Sequence, residues 1–300
     1  MFAALHPELE LLAVTTVNGN VPVQHCTDNS LRVLDFIGRS DVPVHEGLSR
    51  PIVRLDFPRP KRYERDSEQD MHGTKLPLPD PTSSKHDTGA VEYLVETLRA
   101  TTSQITLVPV GPLSNIAAAL AIDPKITEAV DEVVIMGGGH DVGNETASAE
   151  FNIWADPEAA EMVFAAGFEK VTLVPLDATH QALVSADDCT RMKALGTPAG
   201  IAADVLIGRR VSAYTRGHGV AVADAAPVHD ALCTAYLVEP KVISTRHLHV
   251  CVETQGKYTV GRTVIDTRTH DSLPPNCHVA LQADAPLFVQ QLMETFARAV

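Results

Sequence analysis

Three short apolar runs, residues 105–110, 133–136 and 171–174, are each followed by a polar or glycine-rich segment and then by a helical pattern. Runs of this length between turn residues read as strands buried on both faces. The helical patterns at 89–100, 113–121 and 157–166 supply the connections between them. Strand and helix in alternation specify an α/β fold, a wound and mostly parallel sheet flanked by helices. No linker composition, repeat or heptad run interrupts the chain, so residues 1–300 read as one domain.

Further strands are expected at 9–17, 42–44, 242–253, 258–266 and 278–283, with Gly256 at a hairpin turn. Further helices are expected at 27–37, 186–195, 198–215, 230–237 and 286–299. Residues 57–88 depart from this rhythm. They hold Pro58, Pro60, Pro77, Pro79 and Pro81 among many charges. A loop of that length is either functional or a plain surface excursion, and composition leaves both open.

In a wound sheet, ligands bind beyond the carboxyl ends of the strands. Asn18-Gly19-Asn20, Gly111 to Asn115, Gly137 to Asn144 and Asp177 to His180 all fall there. A further segment, Ala149-Glu150-Phe151-Asn152-Ile153-Trp154-Ala155-Asp156-Pro157-Glu158, sets a carboxylate and an amide two residues apart. A strand-like approach would aim Glu150 and Asn152 to one side. Asp156 suits a helix N-cap and Pro157 the first turn. A carboxylate and an amide so placed suit a hydroxyl-rich ligand; a capped helix after a solvated loop reads equally well.

A formal net charge of −14 disfavours a nucleic-acid groove, which needs Lys and Arg, but does not disfavour small neutral sugars or nucleosides. Cys26, Cys189, Cys233, Cys251 and Cys277 are scattered without a C-x-x-C pair. Neither a zinc knuckle nor a disulfide framework is favoured, and a reducing, cytoplasmic setting is expected. No apolar run reaches the length of a membrane span. Residues 1–5 are too short for a signal peptide and lack its basic flank; they read as the tail of a helix.

Taken in order, Val17-Asn18-Gly19-Asn20, His72-Gly73, Gly111-Pro112-Leu113-Ser114-Asn115, Ile135-Met136-Gly137-Gly138-Gly139, the Glu150 segment, Pro175-Leu176-Asp177-Ala178-Thr179-His180 and Pro227-Val228-His229-Asp230 resemble the inosine–uridine-preferring nucleoside hydrolase family. The resemblance implies hydrolysis of the N-glycosidic bond of a nucleoside, with a calcium ion on the ribose, and a homodimer or homotetramer. It implies that His229 is the general acid that protonates the leaving base, a task suited to an imidazole. It places Asp230 and the backbone carbonyl of Val110 on the metal. It places Asn20, Asn144, Glu150 and Asn152 on the ribose hydroxyls, Met136 under the sugar and His72 near the base. After His72 the chain departs from the family's glycine-rich continuation with Thr74-Lys75-Leu76-Pro77-Leu78-Pro79. Tyr214 and His218 lie where base contacts occur in the family but carry no assigned role. Trp154 is expected to pack.

The family opens with an Asp-rich strand, D-x-D-x-G-x-D-D, and this chain starts after it. The expectation is a coding start upstream that supplies this strand, two metal carboxylates and the general base. The alternative is a non-catalytic relative that binds nucleosides.

Overall fold

The computed structural model describes residues 1–55, 73–215 and 224–298. The strands are β1 (Val14–Thr15), β2 (Val44–His45), β3 (Ile105–Leu107), β4 (Val130–Met136), β5 (Val171–Val174), β6 (Leu183–Ser185), β7 (Ala225–Pro227), β8 (Ile243–Val252), β9 (Thr263–Asp266) and β10 (Cys277–Ala283). The helices are α1 (Phe2–Leu5), α2 (Val23–Phe36), α3 (Ala90–Ala100), α4 (Ser114–Ile122), α5 (Phe151–Ala155), α6 (Pro157–Ala165), α7 (Leu176–Thr179), α8 (Ala186–Ala194), α9 (Pro198–Thr215), α10 (His229–Val238) and α11 (Ala285–Ala297).

The main sheet runs β3-β4-β5-β10-β8-β9. From β3 to β10 neighbouring strands are parallel; β8 and β9 close the far side antiparallel. The pairs β1/β2, parallel, and β6/β7, antiparallel, form two smaller sheets. Side-chain alternation along β4 divides the interior in two. Val133 and Ile135 enter a core shared with α3, α4 and α6. Val134 and Met136 enter a second core shared with α2, α8, α9, α10 and α11. Both sets are buried, which is why β4 reads as an unbroken apolar run.

The helices follow from their sequences. Ala90, Leu94, Val95 and Leu98 form one apolar stripe on α3. Glu92 in its first turn and Arg99 in its last suit the helix dipole. By contrast α4 is apolar around its whole circumference from Ile116 on and sunk into the protein up to Leu120, with the fully buried Ala117 and Ala119 allowing close approach of its neighbours, and only its last turn, Ala121 and Ile122, is exposed.

The starts of α4 and α6 are tied together by one buried carboxylate. Asp156 Oδ1 accepts from Ala159 N at 3.2 Å, capping α6. Asp156 Oδ2 accepts from Ser114 Oγ at 2.6 Å and Ile52 N at 2.9 Å. Next to Ser114, Asn115 Nδ2 donates to Thr16 O at 2.8 Å and its Oδ1 accepts from Leu48 N at 3.0 Å. The Ser-Asn pair at the head of α4 therefore fixes the ends of β1 and β2 on one side and the entry to α6 on the other.

Several expected boundaries shift. Only two residues of the 9–17 run form β1, because β2 offers just two residues to pair with. Helix α2 begins at Val23, directly after Pro22, four residues before the expected start. The approach to α6 is not strand-like: Phe151 to Ala155 form the short helix α5. Helices of four or five residues carry too little periodicity to be read from sequence. The described part of the proline-rich loop is strapped to α2. Asn29 binds Thr74 O and Leu76 N, Arg32 binds Leu78 O and Asp80, and Asp35 accepts from Thr82 and Ser83. His72 and His218 lie outside the described residues.

Replacing Asp156 by Ala removes a helix cap and strands buried donors at Ser114 and Ile52. The expected loss of stability is about 3 kcal/mol in urea unfolding. A loss under about 1 kcal/mol would show that these ties are replaceable.

Candidate functional site

The parallel strands β3, β4 and β5 end along one edge, and the segments that follow them build a recess. Pairing of β3 with β4 continues past Leu107, since Met136 N donates to Pro109 O at 2.9 Å. Met136 and the residues just past Pro109 therefore reach the edge side by side. After Met136 the chain turns at Gly138, whose φ of +70° suits glycine, and a Cβ there would stand 2.6 Å from the Thr263 side chain. Thr263 Oγ1 bonds both N and O of Gly139. Asp177, in α7, accepts from His140 N at 2.7 Å and Asp141 N at 3.0 Å. The glycine segment is thus clamped from β9 and from the end of β5.

Glu150 is the pivot of the next segment. Its Oε2 accepts from Gly138 N and Asn152 N at 2.9 Å each and from Ile153 N at 3.3 Å. It caps α5 and joins that helix to the glycine turn. The carboxylate is buried, and desolvation pushes it up to about 7 against the pull of these three amides; the Asp230 charge raises it further. Asn152 Nδ2 donates to Met136 O at 3.0 Å and Met136 Sδ at 3.3 Å, with a longer reach of 3.4 Å to Val110 O. Glu150, Asn152, Met136 and Val110 therefore form one hydrogen-bonded group. Asn144 joins its rim: its Oδ1 accepts from Phe151 N at 2.9 Å, while the residue itself is exposed. The Val110 side chain is 40% exposed, so Val110 is an edge residue and not a core strand residue.

The opposite wall comes from α7, α9 and α10. His229 opens α10 and is buried, with Nδ1 2.6 Å from the Oγ1 of fully buried Thr179. The His180 ring stands 5.7 Å from the His229 ring, tilted 56°. Burial holds the His180 imidazole below its ordinary range, with Arg210 adding to that and Asp177 opposing it. Asp230 is exposed to solvent, yet surrounding protein desolvates its carboxyl and pushes it up to about 6, with Arg210 opposing.

Asn20 is exposed in the turn after β1 and, among the described residues, makes no hydrogen bond to this group. Three other polar residues were given no role from sequence. Asn18 is 1% exposed, and neither atom of its amide has a partner among the described residues. Arg210 lies over the Tyr214 ring at 5.4 Å with its Nε buried and unpartnered among the described residues. Their sequence signals are faint: Asn18 stands inside a turn motif, and Arg210 precedes Tyr214 by one helical turn. Thr179 had a stronger one, since it sits beside His180 at a strand end.

Fold and recess together define a nucleoside-hydrolase architecture. The profile of the family described as inosine-uridine preferring nucleoside hydrolase matches residues 1–290. The chain belongs to this family. It is similar to the pyrimidine-specific ribonucleoside hydrolase RihB of Escherichia coli O9:H4, 38% identical over 289 residues that cover 96% of this chain and 89% of the relative. Among solved structures it is similar to a purine-preferring ribonucleoside hydrolase from Gardnerella vaginalis, with a TM-score of 0.87 and 28% identity, covering 99% of this chain and 92% of that one. It is also similar to the plant nucleoside hydrolase PpNRh1, with a TM-score of 0.85 and 29% identity, covering 99% and 93%.

The raised carboxyl of Glu150 has a consequence for stability. Between its unfolded value of 4.5 and its folded value of about 7, the folded chain holds a proton that the unfolded chain has lost. Its contribution to stability therefore falls as pH rises through that window. Glu150→Gln is expected to raise the melting temperature at pH 8 relative to wild type, with a smaller gain at pH 5. Equal shifts at both pH values would show that the carboxyl is not desolvated in the folded state.

Proposed function

We propose that the chain hydrolyses the N-glycosidic bond of ribonucleosides to ribose and free base. The observation that supports this reading is the hydrogen-bonded group of Glu150, Asn152 and Met136 at the strand ends, with Asp230 close enough for its charge to act on the Glu150 carboxyl. A sugar needs directed acceptors and donors, and a site of this kind discriminates strongly against analogues lacking a hydroxyl. Glu150 supplies the acceptor and Asn152 the amide, with Asn144 and Asn20 as further ribose contacts and Met136 as the apolar floor. As the bond breaks, the ribose gains positive charge and the base gains negative charge. The carboxylate of Glu150 favours the first change. The His229 imidazole delivers a proton to the departing base. Relatives named for pyrimidine and for purine nucleosides share this fold, so the base preference rests on the base side of the recess.

Calcium is the cofactor that the resemblance implies. Among the described residues, the Asp230 carboxylate and the Val110 carbonyl are the oxygen ligands it would use, and no three His, Cys, Asp or Glu side chains converge on a metal. Calcium takes six to eight oxygens, so this set alone does not make a calcium site, and no step is derived through the ion. Water activation is assigned to no described residue. The alternative reading, a nucleoside-binding relative without turnover, draws on that thin donor set. The free cysteines support a reducing, cytoplasmic setting, and the resemblance supports a homodimer or homotetramer. Among the described residues no helix is long and apolar enough to cross a membrane.

Release of free base from inosine and uridine tests the proposal; stoichiometric binding without release would establish the alternative. His229→Ala should slow both natural substrates by about a hundredfold. A nitrophenyl riboside, whose leaving group needs no proton, should lose far less. Equal losses would remove the general-acid role. For the metal, so thin a donor set should hold little calcium by elemental analysis; a stoichiometric ion that is lost in Asp230→Asn would show that the described donors suffice.

A further inference from the structure

We propose that Thr179 is the positioning residue of His229: its hydroxyl accepts the Nδ1–H of the imidazole and so turns Nε2, with its proton, toward the leaving base. The inference rests on the general-acid role proposed above.

The geometry is a single short contact between two buried groups on separate elements. Thr179 Oγ1 lies 2.6 Å from His229 Nδ1, and the residues are fifty positions apart in the chain. Thr179 has no exposed surface and His229 only 8%. Thr179 ends α7, directly after β5, and its backbone is held at both ends. Its N–H donates to Pro175 O at 3.0 Å and its carbonyl accepts from Ala182 N at 3.1 Å. The hydroxyl is therefore presented from a rigid turn, and the imidazole is fixed at the first residue of α10.

A threonine hydroxyl can donate or accept, so the ring's protonation decides the direction. The acid form of His229 is an imidazolium, which has two N–H donors and no acceptor. Its contact with Thr179 survives only if the hydroxyl accepts from Nδ1–H. Nε2–H is the ring's second donor. After transfer the neutral ring keeps its Nδ1 proton, and the same hydrogen bond persists. The proton thus leaves without a rotation of the ring or a change of its partner. A carboxylate in this place would also orient the ring, but its charge would hold the proton on the imidazolium. A neutral hydroxyl orients without that opposition. The neighbouring His180 ring sits in a desolvated position that disfavours a second positive charge beside the acid.

Thr179→Val keeps the shape and removes the acceptor, while Thr179→Ser keeps the hydroxyl. In the full chain, nitrogen-15 NMR of the ring should show neutral His229 with its proton on Nδ1 in wild type and in Thr179→Ser. In Thr179→Val the proton should move to Nε2. For inosine and uridine, kcat should fall about tenfold to a hundredfold in Thr179→Val with KM within about twofold, and the serine variant should recover most of it. Turnover of the nitrophenyl riboside should stay within about twofold in both. Wild-type tautomer and wild-type kcat in Thr179→Val would overturn the proposal. So would an equal loss on the nitrophenyl riboside, since that marks general damage to the fold. If the tautomer moves but neither Thr179→Val nor His229→Ala slows the natural substrates, the pairing stands, and the general-acid reading fails together with the catalytic half of this inference.

Discussion

The buried carboxylate of Glu150 is the constraint on which the recess depends. One oxygen gathers three backbone amides from two segments, the glycine turn after β4 and the first turn of α5. Three converging N–H donors at one atom require an oxygen acceptor held in a fixed place. Desolvation opposes the charge even so, and the carboxyl sits near 7 instead of in the usual acid range. Holding such a group in place costs stability. That cost fits the proposed role of Glu150 as an acceptor for sugar hydroxyls, since functional sites are where local strain and buried charge are tolerated.

Around that pivot the chain uses side chains as ties between distant segments. Asn115 holds the ends of β1 and β2, Asp156 joins α4, α6 and the chain at Ile52, Asp177 holds the glycine segment, and Thr179 meets His229. These contacts lie at the carboxyl edge of the parallel strands, where backbone N–H and C=O groups emerge from the ladders and need partners. Polar residues there serve two purposes at once. They complete the backbone's hydrogen bonding, and they fix the orientation of the groups that face the recess. The shared placement explains why motif after motif along the sequence falls just behind a strand.

Much of the fold was legible because it rests on periodicity. The runs that became β4, β5, α3, α6 and α9 were found with boundaries within about three residues. The failures share a cause. Helices α5 and α7 are four or five residues long and exist through tertiary ties, and β6 pairs with β7 from some forty residues away, a register no local pattern encodes. The short β1 came from the same source, because a strand extends only as far as its partner. The turn at Gly138 was visible as a glycine run, but the need for it comes from Thr263, on a strand more than a hundred residues later.

For the recess, the sequence by itself determined which segments follow which strands, among them Gly111 to Asn115, Gly137 to Asn144 and Asp177 to His180. Strand period and crossover handedness are enough for that, since both are local properties of an L-polypeptide. The grouping of Glu150, Asn152, Met136, His229 and Asp230 came from the resemblance to a family and not from periodicity. Only the tertiary structure decided how those residues meet. Glu150 and Asn152 converge through a capped helix and not through strand alternation. The ring of His229 is set by Thr179, a residue whose importance comes from a 2.6 Å contact across fifty positions. Hydrogen-bond geometry, desolvation and the pairing of buried groups depend on the three-dimensional surroundings of each atom, and no spacing along the chain carries that information.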